Sequence, residues 1–481
     1  MLFNSIPFVL FFLVFFGLHW FVTNKNLKLQ NILILVGSYF FYAWSDWRLL
    51  SFLIGVSALN YFLGIQIERT TNEKKKWLFL YIGLLQGIGG LLFFKYYNFF
   101  ITSFNEAFFV SLHTLKIVVP LGISFFTFRT ISYLIDIYKG KTKATTDWVV
   151  FFNYIAFFPS LLSGPIDKAN KLIPQLEKER TFSYDTAVDG LRQIVWGLFK
   201  KVVIANNCAV ITSEVFANYH NLPASSLVIG VSLYTIQIYA DFSGYSDMAI
   251  GFANLLGFKI TKNFDNPFFA QNIADFWRKW HISLTSWLTE YVFTPLCIYF
   301  RDFGDFGLIL AIVINFTLIG TWHGANWTYI LFGFLHGVYY IPLILKGTMN
   351  KKKKLSNSNI PTLNEFFNML KTFALVTFAF ILFKSNSITE ALHFYKSICS
   401  KSLFQLPKFS GVSILYFVSV LLYILFMLVM EWNARKKEHA LENIGISLSK
   451  PIRWAVYSGL ILVIYYFSSI VSNQDFIYFQ F

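Results

Sequence analysis

The sequence predicts an all-α, polytopic integral membrane protein, and three observations carry that prediction. Only 14% of the residues are charged, whereas a soluble domain carries about 25%. Apolar runs long enough to cross a bilayer as helices recur from end to end. Short basic connectors separate them, as in the loops that membrane proteins keep in the cytoplasm. Together these predict about 11–12 transmembrane helices.

Spans are expected at 2–22, 31–46, 49–67, 77–100, 117–138, 191–215, 225–251, 306–322, 327–345, 366–385, 412–431 and 453–471. The first, "MLFNSIPFVLFFLVFFGLHWFV", has no basic leader and no small-residue cleavage site, so it reads as a retained span. Lys25 and Lys28 follow it and place the N-terminus outside. Alternation then puts Lys74–Lys76, Lys139/Lys141/Lys143, Lys168/Lys171/Lys178/Arg180, Lys351–Lys354 and Arg435–Lys437 on the cytoplasmic side. The net charge of +15 is therefore topogenic. It implies contact with membrane lipids and no nucleic-acid partner. A single membrane domain over 1–481 is expected, with N-terminal spans to 138, a catalytic core over 149–345 and C-terminal spans over 366–481.

Two stretches depart from the simple span pattern. Residues 149–166, "VVFFNYIAFFPSLLSGPI", lie between two connectors that both belong in the cytoplasm, and they carry Pro159, Gly164 and Pro165. A re-entrant segment buried in protein satisfies both facts. Residues 264–300 mix Trp, Arg, Lys and Asp with apolar residues, which suggests an amphipathic interfacial helix and a re-entrant turn near Pro295. No internal repeat is evident, which weakens a transporter built on inverted halves. Gly83/Gly87 and Gly333/Gly337 have the spacing of close helix packing.

Chemistry rests on histidine. There is no GxSxG, P-loop or HExxH, no metal-ligand spacing, and Cys208, Cys297 and Cys399 are too dispersed for a disulfide framework. His323 ends a span in "GTWHGANW", beside Trp322 and Asn326, and reads either as a belt histidine or as a catalyst. His336 lies 13 residues on, about 220° round an uninterrupted helix, and reads as a packed core residue. His281, among Trp277, Arg278, Lys279 and Trp280, fits an interfacial helix as well as a site. Asp241 and Asp247 stand within apolar sequence and need partners, for which Arg278 and Lys279 are the candidates.

Four motifs in order, "FFPSLLSGPI" (157–166), "YADFSGYSDMAIGFANLLGF" (239–258), "NPFFAQNIADFWRKWHISLTSWL" (266–288) and "GTWHG" (320–324), resemble the membrane-bound O-acyltransferase family. They are similar in particular to its bacterial, alginate O-acetylation branch. "RTISYLIDIYKG" (129–140) and the closing "NQDFIYFQF" fit the same branch.

The resemblance implies the fold of that family, with His323 as catalytic base and His281 as a second active position. It leaves Arg278 and Lys279 as candidate donor-binding groups, and Asp241, Asp247, Trp322 and Asn326 as structural members of the active region. It implies acetyl-CoA as donor substrate, no bound cofactor and no metal. It further implies an exported polysaccharide as acceptor, an extracytoplasmic partner of the SGNH-esterase type, and a bacterial inner membrane. A D-alanyl transferase for teichoic acid is the alternative within the family. A polysaccharide or lipid transporter and an inactive scaffold are the alternatives outside it.

Overall fold

A computed structural model of the chain describes residues 1–351, 360–409, 411–442, 444, 448–470 and 476–477. The basic run expected at Lys351–Lys354 lies outside the described residues beyond Lys351. Of the closing "NQDFIYFQF", only Phe476 and Ile477 lie within them. The described residues are helical with no β-strand. They form two compact units, one of Met1–Leu191 with Ala249–Thr261, the other of Arg192–Met248 with Lys262–Phe481.

The first unit holds α1 (Ile6–Gly17), α2 (Leu27–Ala43), α3 (Arg48–Arg69), α4 (Glu73–Leu91), α5 (Tyr97–Phe108) and α6 (Ile123–Tyr138). The short helices α7 (Trp148–Ala156), α8 (Phe158–Leu161) and α9 (Ala169–Leu176) follow. Helix α10 (Tyr184–Leu198) leads through a π-helical run, Phe199–Ala205, into α11 (Asn206–Ala217) and then α12 (Ala224–Leu255). The second unit continues with α13 (Ile273–Lys279), α14 (Ile282–Leu288), α15 (Thr294–Tyr299), α16 (Gly304–His323) and α17 (Trp327–Leu345). It closes with α18 (Leu363–Lys384), α19 (Ile388–Ile398), α20 (Ile414–Asn433) and α21 (Lys450–Ile470).

Among the described residues, eight helices are long and apolar enough to cross a membrane, and the chain is a multi-pass membrane protein. Twelve such spans were expected, and the four that differ have distinct reasons. The apolar helices Ile6–Val22 and Leu27–Ala43 are too short, their rise of about 26 Å falling below the roughly 30 Å of a hydrocarbon core. The run 117–138 is helical only from Ile123, after Gly122 turns the chain at φ 71°. A Cβ on Gly122 would stand 2.7 Å from the Leu161 carbonyl oxygen, so that turn tolerates no side chain. Helix α12 has length to spare at 32 residues, but Gln237, Asp241 and its serines make it more polar than the eight.

The stretch 149–166 forms two helices of 9 and 4 residues, at most about 14 Å of rise each and too short to span. Asp147 caps the first, its Oδ1 accepting from the Val149 amide at 2.8 Å. The break at Phe157 frees carbonyls that a buried chain cannot give to water. Arg129 of α6, fully buried, answers them. It donates to the carbonyls of Tyr154 and Ile155 at 3.2 and 3.1 Å, Ser160 at 3.0 Å and Pro165 at 3.2 Å, and to Ser160 Oγ at 2.6 Å. One guanidinium thus fixes the whole irregular segment.

The second irregular stretch is broken at Trp280–His281 rather than near Pro295. Pro295 is the second residue of α15, inside a continuous helical run directly after a π-helical turn, so the chain does not turn there. Residues 282–299 run on as helix through a π-helical turn at Thr289–Phe293. Trp277 and Trp280 are buried rather than interfacial.

Replacing Arg129 by Met would leave several buried carbonyls without donors, each costing about 1–3 kcal/mol. Thermal unfolding of the detergent-solubilised chain should show a loss of at least about 3 kcal/mol. An unchanged midpoint would refute this role for Arg129.

Candidate active site

Helices α16 and α17 pack backbone to backbone because glycines face each other. A Cβ on Gly320 would lie 2.1 Å from the Tyr329 carbonyl oxygen, and one on Gly333 2.2 Å from that of Phe316. Gly337 meets Val313 in the same way, at 2.8 Å from its Cα. This seam sets the end of α16, whose last residue is His323. The His323 side chain is 4% exposed. Its ring centre lies 4.9 Å from Trp322, 5.0 Å from Phe383 and 6.1 Å from Phe332.

His281 reaches the same place from a different element. It occupies the left-handed region at φ 46°, ψ 52°, between α13 and α14, a conformation costing an L-residue about 1–2 kcal/mol. Asn263, fully buried, stabilises the turn. Its Oδ1 accepts from Ser283 N at 3.2 Å and Ser283 Oγ at 2.6 Å, and its carbonyl accepts from Ile282 N at 2.9 Å. Asn263 Nδ2 donates to Ser246 Oγ at 3.3 Å. The His281 ring lies edge-on to Phe242, centres 4.6 Å apart, and 5.6 Å from Trp322. Both histidines therefore border one indole, that of Trp322.

The other candidates separate from this pair. His336 accepts from Trp277 Nε1 at 3.1 Å through Nδ1 and is a packed core residue. Asn326 caps α17, its Oδ1 accepting from Thr328 N at 3.0 Å, while its Nδ2 donates to the Asn386 carbonyl at 2.8 Å. Its side chain is spent on structure. Lys279 pairs with Asp275 at 3.1 Å. Arg278 donates through Nη1 to the Met349 carbonyl at 3.3 Å, and its buried Nε and Nη2 have no partner among the described residues.

Arg278 and Lys279 are not the partners of the two carboxylates. Asp241 pairs with Lys201 at 2.6 Å and accepts from the Ile477 amide at 2.8 Å. Asp247 pairs with Lys200 at 2.7 Å and accepts from Gln193 at 3.0 Å. Lys200 also lies 3.8 Å from Glu431, which accepts from Tyr239 Oη at 2.8 Å. Both lysines come from the π-helical run Phe199–Ala205. The adjacent lysines of "GLFKKVVIA", inside an apolar run, were the signal for these pairs. Asn263, in the polar island "TKNFDN", was the signal for the turn.

A cavity of about 230 Å³ lies within the second unit. Its walls include Lys201, Asn206, Gln237, Asp241, Tyr329 and Phe383. Phe383 also packs on His323, and Phe242, next to Asp241, packs on His281. Among the described residues, no cluster of three or more His, Cys, Asp or Glu side chains could hold a metal ion.

Residues 145–357 match the model of the membrane-bound O-acyltransferase family. The chain is 33% identical to a probable alginate O-acetylase of Pseudomonas putida, over the full length of both. It is 32% identical to a peptidoglycan O-acetyltransferase of Helicobacter pylori, covering 83% of this chain and 80% of the relative. Likeness to a teichoic acid D-alanyltransferase of Bacillus subtilis is 30%, over 55% of this chain and 68% of that protein.

Asn263→Ala removes the acceptor that holds the His281 turn. It should lower stability by about 1–3 kcal/mol, whereas Asn263→Asp, which keeps an acceptor, should retain more of it. Equal unfolding midpoints for the wild type and Asn263→Ala would contradict the assignment.

Proposed function

Because this chain belongs to the membrane-bound O-acyltransferase family, and is thus a membrane acyltransferase, we propose that it moves acetyl groups from cytosolic acetyl-CoA toward an exported polysaccharide, with His323 as general base. The observation that carries this reading is the convergence of His323 and His281 on Trp322 from segments 42 residues apart in sequence. Full-length likeness to a protein named for O-acetylation supports acetyl as the group moved.

The reaction asks little of the protein beyond a base and a site for developing charge. The imidazole of His323, in its neutral form, takes the proton of the attacking hydroxyl as its oxygen bonds to the thioester carbonyl carbon. The carbon–sulfur bond breaks, the thiolate leaves, and the imidazolium returns the proton to sulfur. His281 is the group assigned to the negative oxygen of the intermediate. The apolar rings around both histidines strengthen such contacts by excluding water.

Arg278 retains unspent donors and is the better candidate for a donor phosphate, since Lys279 is held by Asp275. The protein takes acetyl-CoA as substrate and holds no resident cofactor. An extracytoplasmic SGNH-type partner completes transfer to sugar hydroxyls, and the enzyme resides in a bacterial inner membrane. The D-alanyl alternative draws on likeness over only 55% of the chain, against the whole chain for the O-acetylase.

Membranes containing this protein and its native partner, supplied with acetyl-labelled acetyl-CoA, should deposit label on protein or glycan. Replacing His323 by Ala at matched expression should cut that label about 10²–10⁴-fold. Equal labelling by the two forms would remove His323 from the chemistry. Labelling by D-alanyl thioester alone would favour the alternative.

A further inference from the structure

We infer that the cavity of the second unit binds an anion that also carries hydroxyl groups, held by Asn206 and Lys384. This goes beyond the proposed reaction and rests on it only in taking the ligand to be a unit of the exported glycan that the partner then acetylates.

Asn206 is the first observation. It is 1% exposed and lines the cavity. Neither its Oδ1 nor its Nδ2 has a hydrogen-bond partner among the described residues. A primary amide so placed costs about 1–3 kcal/mol unless something in the cavity answers it. Its neighbour Asn207, by contrast, is fully engaged, donating to the Val202 and Val203 carbonyls and accepting from Tyr416 Oη at 2.7 Å. Of two adjacent asparagines, one serves the fold and the other faces the space.

Charge is the second. Lys201 and Asp241 both line the cavity and neutralise each other at 2.6 Å. That leaves Lys384, a further lining residue, whose ammonium lies 5.4 Å from the centre of the Tyr234 ring. Lys384 makes no ion pair among the described residues. Glu390, whose field reaches it, instead accepts from the Asn386 amide at 2.8 Å. Among the described residues, the wall therefore carries one net positive charge.

Helical spacing brings this polar set together. Asn206, Ala209 and Ser213 succeed one another along one face of α11, and Tyr234, Gln237 and Asp241 along one face of α12. Gln237 spends its Oε1 on Thr212 Oγ1 at 2.6 Å, which leaves its amide N–H groups for a ligand. The cavity thus offers one cation and several amide and hydroxyl groups. At about 230 Å³ it falls below the roughly 300–1,000 Å³ of drug-sized pockets, so it suits a single sugar-sized unit. Phe383 places that unit one ring away from His323. A sugar acid and a sugar phosphate share this chemistry.

The test uses the full chain in lipid nanodiscs without acyl donor, so it does not depend on turnover. Saturation-transfer NMR reads binding of glucuronate, glucose 6-phosphate and glucose. At least one of the anions should bind about tenfold or more tightly than glucose. Preference for glucuronate identifies a sugar acid, preference for glucose 6-phosphate a sugar phosphate, and either supports the site. Lys384→Gln and Asn206→Ala should each weaken the favoured anion about tenfold.

Asn206→Ala loses no hydrogen bond, so its unfolding midpoint should not fall, which separates lost binding from lost fold. Asn206→Asp keeps the shape and adds a negative charge, so it should abolish anion binding while leaving glucose unchanged. The proposal is overturned if glucose binds as well as the anions, if no probe binds, or if these variants bind like the wild type. His323→Ala should keep the affinity, so loss of acetyl transfer with binding intact would strike the reaction and not this site.

Discussion

A helix that breaks where water cannot reach exposes amides and carbonyls that must find partners in the protein. That constraint governs the informative parts of this molecule, because both irregular stretches lie among buried side chains. In the first unit, Arg129 gathers the carbonyls on both sides of the break at Phe157 onto one guanidinium. In the second, Asn263 serves both as side-chain acceptor and as backbone acceptor for the turn at His281. Asp241 and Asp247 obey the same rule, matched by Lys201 and Lys200. Such pairs are weak evidence for stability, since desolvation offsets much of their attraction. They do fix the register of α12 against the run Phe199–Ala205.

The two-histidine region inherits its geometry from these supports. His323 stands where the glycine seam between α16 and α17 ends, and His281 stands at a strained position that Asn263 stabilises. Strain of this kind persists only where the surroundings over-determine it. Trp322 supplies the common surface, so neither histidine can shift without disturbing the other. The proposed chemistry needs a base and a donor at one acyl group, and both imidazoles border the same indole.

Much of the fold could be read from the sequence because apolar length and basic connectors follow directly from bilayer thickness and charge placement. Eight of the expected spans correspond to helices of sufficient length and apolarity among the described residues. The small-residue spacing at Gly333/Gly337 also foretold close packing. What escaped was set by tertiary contact. No glycine or proline marks the break at Trp280–His281, so Pro295 attracted the turn that Asn263 in fact creates. Proximity along the chain to the "RKWH" motif drew Arg278 and Lys279 toward the carboxylates, while the true partners lay some 40 residues upstream of them. Asn206 carries no signal in the sequence, since only its lack of partners among the described residues gives it meaning.

The central claim is that the two histidines border the site of acyl transfer. An experimental structure of the full chain with a non-hydrolysable acetyl-CoA analogue tests it most directly. The account predicts the acyl carbonyl beside Trp322, within about 3.5 Å of the His323 ring or one bridging water away, with His281 facing the carbonyl oxygen. An analogue seated with both imidazoles out of hydrogen-bond reach of its acyl group would contradict it.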